Sequence, residues 1–398
     1  MKRKTSDSQP RRDFLKTTSI GLAGFALLSL SRTNSSAQSP LAGRLPGRVY
    51  PLNHNWLYSE RNLPNAASPT LDDSRFTRVT IPHTNKLLPW HGFDDKDYQF
   101  VSLYRRHFKI PIGTRGKRIF VDFGGVMTAA TVSINGTRLG EYRGGYTPFS
   151  YELTSHLNWP GDNVLAVEVD STERKDIPPF GGEIDYLTFG GIYRDVQLRI
   201  VSPTFIDNVF AKPVNVLKDD RRVDVRCFLN GQGGPAGPFK LTAELRDRER
   251  VIATATADFP ALGAPHYDLS LKTLRSIQLW DLDHPKLYQV RVKLSGNQAD
   301  DHYEMAIGFR EANFSEDGFY LNGKHVKLRG LNRHQTFPYV GQAMPARVQR
   351  RDALILKQEL KCNVVRTSHY PQSPHFLNAC DEIGLLVFEE IPGWQHIG

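Results

Sequence analysis

Between residues 48 and 203, apolar positions come in short alternating runs. Ile119, Val121 and Phe123 form one such alternation, Val132 and Ile134 another, and Val164 and Ala166 open a third. A period of two puts successive side chains on opposite faces and predicts half-buried strands. Asn135-Gly136 lies between two of the runs. Both central positions of a tight hairpin turn need positive φ, which this pair supplies, so a two-residue hairpin is expected there. Asn135-Gly136-Thr137 is formally a glycosylation acceptor, but the turn reading takes precedence. Many short strands punctuated by Gly and Pro predict a β-sandwich or jelly roll over residues 48–203.

The same grammar continues over residues 204–310, with candidate strands at Arg222–Leu229, Lys240–Arg246, Val251–Phe259, Tyr288–Leu294 and Tyr303–Phe309. That spacing suits a second, smaller antiparallel sandwich of about 100 residues. The Gly- and Pro-rich stretch from Gly231 reads as a hairpin connection within it.

Residues 311–398 follow a different pattern. Lys327–Leu331 predicts a strand ending at Asn332-Arg333-His334, and Pro345 opens a helical stretch to Leu360. Asn363–Arg366 predicts a buried strand ending near His369. Pro374 begins a second helix closed by Gly384, and Leu385–Phe388 is an apolar strand ending in Glu389-Glu390. Pro at a helix start and Gly just past its end are the expected asymmetry. Strand–helix–strand–helix–strand is the opening of a parallel α/β unit. From Asp317 to Gly398 there are 82 residues, whereas a complete TIM barrel needs about 250. About three barrel strands are therefore expected, with the last edge unpaired.

The net charge of +9 resembles a nucleic-acid signature, but residues 1–37 carry seven Lys/Arg against two acids. The remaining 361 residues hold 44 basic and 40 acidic side chains, a solubility-level balance with no nucleic-acid footprint. Arg11-Arg12-Asp13-Phe14-Leu15-Lys16 is a twin-arginine pattern. It precedes an apolar run from Ile20 to Leu30, then small residues at Ser35-Ser36-Ala37. A run that short suits a signal-peptide core rather than a membrane span. Residues 1–37 are expected to be an export signal, leaving a chain with no membrane span that is periplasmic or extracellular. Cys227, Cys362 and Cys380 lack the spacing of a zinc site or a disulfide framework, and a Cys362–Cys380 bridge stays open at this point.

Candidate chemistry gathers in residues 311–398. His334 follows the first predicted strand, His369 the second and Glu390 the third, which is the end of a barrel where active sites are built. Hydrogen-bonding side chains among many aromatics suit a polyhydroxylated ligand. The stretch NVVRTSHYPQSPHFLNACDEIGLLVF from Asn363 carries a specific resemblance to glycoside hydrolase family 2, the β-galactosidase and β-glucuronidase family. GLNRH from Gly330, GGIYRDV from Gly190, GGYTPFSYELT from Gly144 and WDLDHPKLY from Trp280 agree with it.

The resemblance implies a jelly-roll sugar-binding domain, an immunoglobulin-like sandwich and a TIM barrel, here truncated after about three strands. It implies that His334 and His369 hydrogen-bond the sugar, that Arg366 lies beside a nucleophilic carboxylate, that Asp185 reaches sugar hydroxyls from the first domain, and that Glu390 forms part of the site wall. The implied activity is retaining hydrolysis of β-linked sugars, a β-galactoside first and a β-glucuronide second. A non-catalytic carbohydrate-binding protein is the alternative of another class. The implied partner is a β-glycoside substrate, and the oligomeric state is left open, a homo-oligomer included.

Two features depart from the family pattern. Adjacent Glu389 and Glu390 would point to opposite faces of a strand, whereas retaining glycosidases hold two carboxyl groups about 5–5.5 Å apart on either side of the scissile bond. The resemblance places acid/base and nucleophile on later barrel strands, so neither is expected in this sequence and the chain alone is expected to be inactive. Where magnesium-binding members carry Glu-x-His, this chain has Trp394-Gln395-His396. A hard cation wants oxygen ligands, so no metal site is expected there, and no cofactor is implied.

Overall fold

The computed structural model describes residues 48–89, 94–180, 186–231, 237–296 and 299–393. All of these fall within one unit, Ser39–Gly398. The expected leader, residues 1–37, lies outside the described residues.

Two antiparallel sheets make the first sandwich. One has six strands in the spatial order Thr77–Val79, Trp56–Ser59, Val101–Phe108, Asn163–Asp170, Ala129–Ile134, Thr137–Arg143. The other has four, in the order Arg48–Pro51, Val196–Val201, Arg118–Phe123, Phe149–Glu152. The alternating residues meet between them: Val121, Phe123, Val132 and Ile134 are buried in one cluster with Trp56 and Tyr104. Asn135 and Gly136 form the expected turn between Ala129–Ile134 and Thr137–Arg143, with φ of 50° and 88°. The Asn135 amide is taken up by Asn163, the His156 carbonyl and the Val164 N–H, which supports the turn reading over glycosylation.

The second sandwich pairs a three-stranded sheet (Thr204–Val214, Arg222–Gly231, Tyr267–Leu271) with a four-stranded one in the order Arg250–Phe259, Phe239–Asp247, Leu287–Gly296, Ala299–Gly308. Its core includes Val225, Leu241, Leu245, Val290, Val292 and Leu294. Here one expectation fails. The Gly/Pro stretch after Gly231 is no hairpin, because Arg222–Gly231 and Phe239–Asp247 belong to different sheets. It is a crossover, whose residues 232–236 lie outside the described ones.

After a small sheet over Ala312–His325, three parallel strands follow: Gly330–Asn332, Val364–Thr367 and Leu386–Glu389, paired in sequence order. The first is shorter than expected and starts later. Asn363 explains this: its side chain accepts from the Arg329 N–H (2.7 Å) and donates to the Lys327 carbonyl (2.9 Å). A side-chain amide thus substitutes for strand pairing over those residues. The helix Ala346–Leu354 starts after Pro345 and continues as a π-turn over Ile355–Glu359. Helix Pro374–Ile383 is capped by Ser373 and closed by Gly384 at φ 77°. Phe376, Ala379, Cys380, Val365 and Leu385 bury the seam between helices and sheet. Cys362 and Cys380 are both free and buried, so that bridge is absent.

Candidate functional site

Parallel pairing aligns three carboxyl ends. Asn332 is opposite Arg366, and Thr367 is opposite Glu389, so the residues after each strand emerge on one face. The Glu390 N–H donates to Thr367 Oγ1 (3.1 Å), whose hydroxyl donates to the Phe388 carbonyl (3.0 Å). These bonds fix the third strand tip against the second.

His369 Nδ1 lies 2.8 Å from Glu390 Oε2, and Arg366 Nε donates to Glu390 Oε1. Arg366 Nη2 is also 3.4 Å from His369 Nδ1. One carboxylate therefore orients both an arginine and an imidazole. His334 stands beside them, its ring centroid 5.4 Å from that of His369. His334, His369, Arg366 and Glu390 are thus brought together. Asp185 lies outside the described residues, and so do Trp394-Gln395-His396. Among the described residues no cluster of His, Cys, Asp or Glu could hold a metal.

The sequence reading missed the aromatic floor. Tyr186, from the first sandwich, packs against His334 (5.1 Å), His369 (5.8 Å) and Tyr370 (5.6 Å). Tyr370 in turn stacks on Tyr146 at 4.4 Å and 11°. Burial pushes the Tyr370 and Tyr146 phenols well above their ordinary values, so both stay neutral hydrogen-bonding groups at any working pH. Their positions carried a weak signal: Tyr186 follows Asp185, and Tyr370 follows His369 in the signature.

Behind the histidines, buried Arg333 anchors the peptide that carries His334. Its guanidinium donates to Asp352 (2.8 Å) and Gln349 (2.8 Å), bonds Gln372, and lies 4.0 Å over the Phe376 ring. Burial lowers its proton affinity, and the adjoining Asp352 opposes that. GGIYRDV has a comparable structural role. Arg194 donates to the carbonyls of Tyr146 (2.7 Å) and Pro371 (2.6 Å), while Asp195 meets His375 Nε2 at 2.7 Å. The first sandwich is thereby fixed against the barrel strands. From the second sandwich, Trp280 Nε1 donates to the Asp381 carbonyl at 2.7 Å.

Glu389 faces away from this cluster, accepting from the Gln372 N–H at 2.9 Å. Desolvation raises its carboxyl above the ordinary value despite that bond. The two adjacent carboxylates thus have separate partners and separate faces. The arrangement sets the hydrogen-bonding groups of Arg366, His369 and Glu390 in front of buried aromatic rings, and Glu389 is not one of them.

Three family models match the chain: "Glycosyl hydrolase 2 galactose-binding domain-like" at residues 85–178, "Glycosyl hydrolases family 2" at 204–310 and "Glycosyl hydrolases family 2, TIM barrel domain" at 313–397. The chain is 46% identical over 354 residues to a β-galactosidase of Thermoanaerobacterium thermosulfurigenes, covering 88% of this chain and 49% of that one. It is 30% identical over 358 residues to a β-glucuronidase of Bacteroides fragilis, covering 86% and 49%. The crystal structure of Bacteroides uniformis β-glucuronidase superposes with a TM-score of 0.78 at 32% identity, over 87% of this chain and 42% of that one. The chain spans about half the length of these curated relatives.

Proposed function

From the premise that this chain belongs to the family 2 glycosyl hydrolases, we propose that it supplies the sugar-binding face of a retaining exo-glycosidase acting on β-linked sugars, a β-galactoside in the first place. The observation that carries this reading is the convergence of His334, His369, Arg366 and Glu390 at three adjacent strand tips, with the histidines packed against buried Tyr186 and, for His334, Tyr370. Hydroxyl groups of a sugar need both donors and acceptors in a fixed pattern, and aromatic rings take the apolar C–H face.

Two observations favour galactoside over glucuronide. Identity to the galactosidase relative is 46%, against 30% to the glucuronidase. A glucuronide also brings a carboxylate that wants a cation, and Arg366 at the described strand tips is already committed to Glu390. The catalytic pair is assigned to no residue of this sequence. Glu389 and Glu390 have separate partners, so these two do not act together as the pair of a retaining glycosidase, and the residues present are proposed to bind the sugar without turning it over. The reading includes export, supported by the Arg11-Arg12 leader; Edman sequencing of the exported protein is expected to begin at Gln38.

The test is a titration of the purified 398-residue chain with methyl β-D-galactoside and methyl β-D-glucuronide, beside an assay with p-nitrophenyl β-D-galactoside. Preferred binding of the galactoside without release of nitrophenol is expected. Preference for the glucuronide would reverse the sugar assignment, and turnover would overturn the statement about the carboxylates.

A further inference from the structure

At one edge of the first sandwich a cleft of about 530 Å³ opens where the end of Trp56–Ser59, the start of Thr77–Val79 and residues 83–86 meet. That volume lies within the range of about 300–1,000 Å³ typical of small-ligand pockets. Arg61, Arg75 and Lys86 stand on its walls, with Glu60 as the one carboxylate among the described lining residues. None of His334, Arg366, His369 and Glu390 lines it. We propose that this cleft binds an acidic sugar, one that carries a single carboxylate or sulfate group on a hydroxylated ring.

The cations select the anionic group. Lys86 Nζ lies 3.8 Å from Glu60 Oε1, and the two side chains are 43% and 58% exposed, so solvent screens that pair heavily. Arg61 and Arg75 are exposed, and among the described residues neither guanidinium has a carboxylate within 4.0 Å. The two acids shortly before Arg75 have donors of their own. Asp72 accepts from the Ser74 N–H at 3.0 Å, and Asp73 accepts from Arg105 Nε at 2.7 Å. A planar guanidinium presents paired N–H groups to a carboxylate or sulfate. Two of them at one cleft leave positive charge that the protein does not answer.

The remaining polar groups select the hydroxylated ring. Burial pushes the His83 imidazole down to a pKa of about 4, so the ring is neutral near pH 7. Its Nδ1 lies 2.9 Å from the Tyr104 hydroxyl, and among the described residues Nε2 has no protein partner. In a neutral ring Nε2 gives or accepts one hydrogen bond, while Glu60 only accepts. Hydroxyl groups satisfy both, whereas a bare inorganic anion is repelled by Glu60. The wall that carries His83 and Lys86 is held in place from behind. The N–H groups of His83 and Asn85 donate to the Ile192 and Gly190 carbonyls, both at 2.8 Å. The Tyr58 hydroxyl donates to the Asn85 carbonyl at 2.7 Å, and its ring packs on His83 at 4.8 Å.

Calorimetric titration of the 398-residue chain with D-galacturonate, galactose 6-sulfate, galactose and sodium sulfate, each with excess methyl β-D-galactoside present, tests the proposal. At least one acidic sugar is expected to bind about tenfold more tightly than galactose, and to weaken as salt is raised. Arg61→Gln and Arg75→Gln should each weaken that binding about tenfold. Both side chains are exposed, so the melting temperature and the affinity for methyl β-D-galactoside should stay unchanged. Binding of only one of the two acidic sugars would support the proposal and identify the anionic group. No preference for either acidic sugar over galactose would overturn it, and so would sodium sulfate binding as tightly as galactose 6-sulfate. Acidic-sugar binding left intact in both variants would belong to another surface and would also overturn the proposal.

Discussion

Glu390 holds two neighbours in place at once, the Arg366 guanidinium and the His369 imidazole. Charge-assisted hydrogen bonds of this kind contribute about 1.5–3 kcal/mol each when well made. Glu390→Gln is therefore expected to weaken methyl β-D-galactoside binding about tenfold or more, because both partners lose their orientation. The Arg366 side chain is 43% exposed, so the melting temperature should move little. Calorimetric titration beside a thermal melt separates the two, and unchanged affinity would remove Glu390 from the site. A different carboxyl governs pH dependence. Asp301 is buried, and desolvation raises its proton affinity to a pKa of about 7, although the Ile206 N–H donates to it at 2.9 Å. The folded chain then binds this proton more tightly than the unfolded chain, where an aspartate titrates near 4. Stability from this group is full below about pH 4, falls as pH rises to about 7, and is level above. The loss is at most about 4 kcal/mol. Asp301→Asn should flatten the melting temperature between pH 5 and 7, and an unaltered slope would contradict the assignment.

At the scale of elements, the helices and barrel strands were legible because their signals are local. Pro345 and Pro374 mark starts, Gly384 marks a stop, and the continuous apolar runs lie between. The edges of the second sandwich were not. Thr204–Val214 is interrupted by a bulge between Ile206 and Asn208, and one extra residue destroys the period-two pattern by which a strand is read. Tyr267–Leu271 has five residues, too few to stand out among its polar neighbours. The segment after Gly231 was misread because a Gly/Pro-rich stretch looks the same in a hairpin and in a crossover. The seam below the site offers a direct test at this scale. Phe376 is fully buried between helix and sheet under the Arg333 guanidinium, and removing a buried aromatic costs about 3–5 kcal/mol. Phe376→Ala should lower the urea midpoint of the barrel segment correspondingly. A change below about 1 kcal/mol would show that the helices are not packed as described.

For the whole molecule, His334, His369 and Glu390 could be singled out from sequence because each sits within three residues of the end of a predicted parallel strand, whereas Arg366 entered only through the family resemblance. Tyr186 could not, because it arrives from the first sandwich, 148 residues before His334 in the barrel segment, and no local pattern reports such a contact. The same molecule exposes Phe388 and Ile391 (45% and 85%) at its third barrel strand, which among the described residues pairs on one side only. An open parallel edge beside apolar surface is a template for association. The chain should therefore show concentration-dependent assembly in sedimentation velocity, and a monodisperse monomer at high concentration would count against this. The most direct measurement is a crystal structure of the chain with methyl β-D-galactoside. The sugar hydroxyls are expected within hydrogen-bond distance of His334 and His369, with the ring over Tyr186. A galactoside bound at any other surface, with those two histidines untouched, would contradict the account.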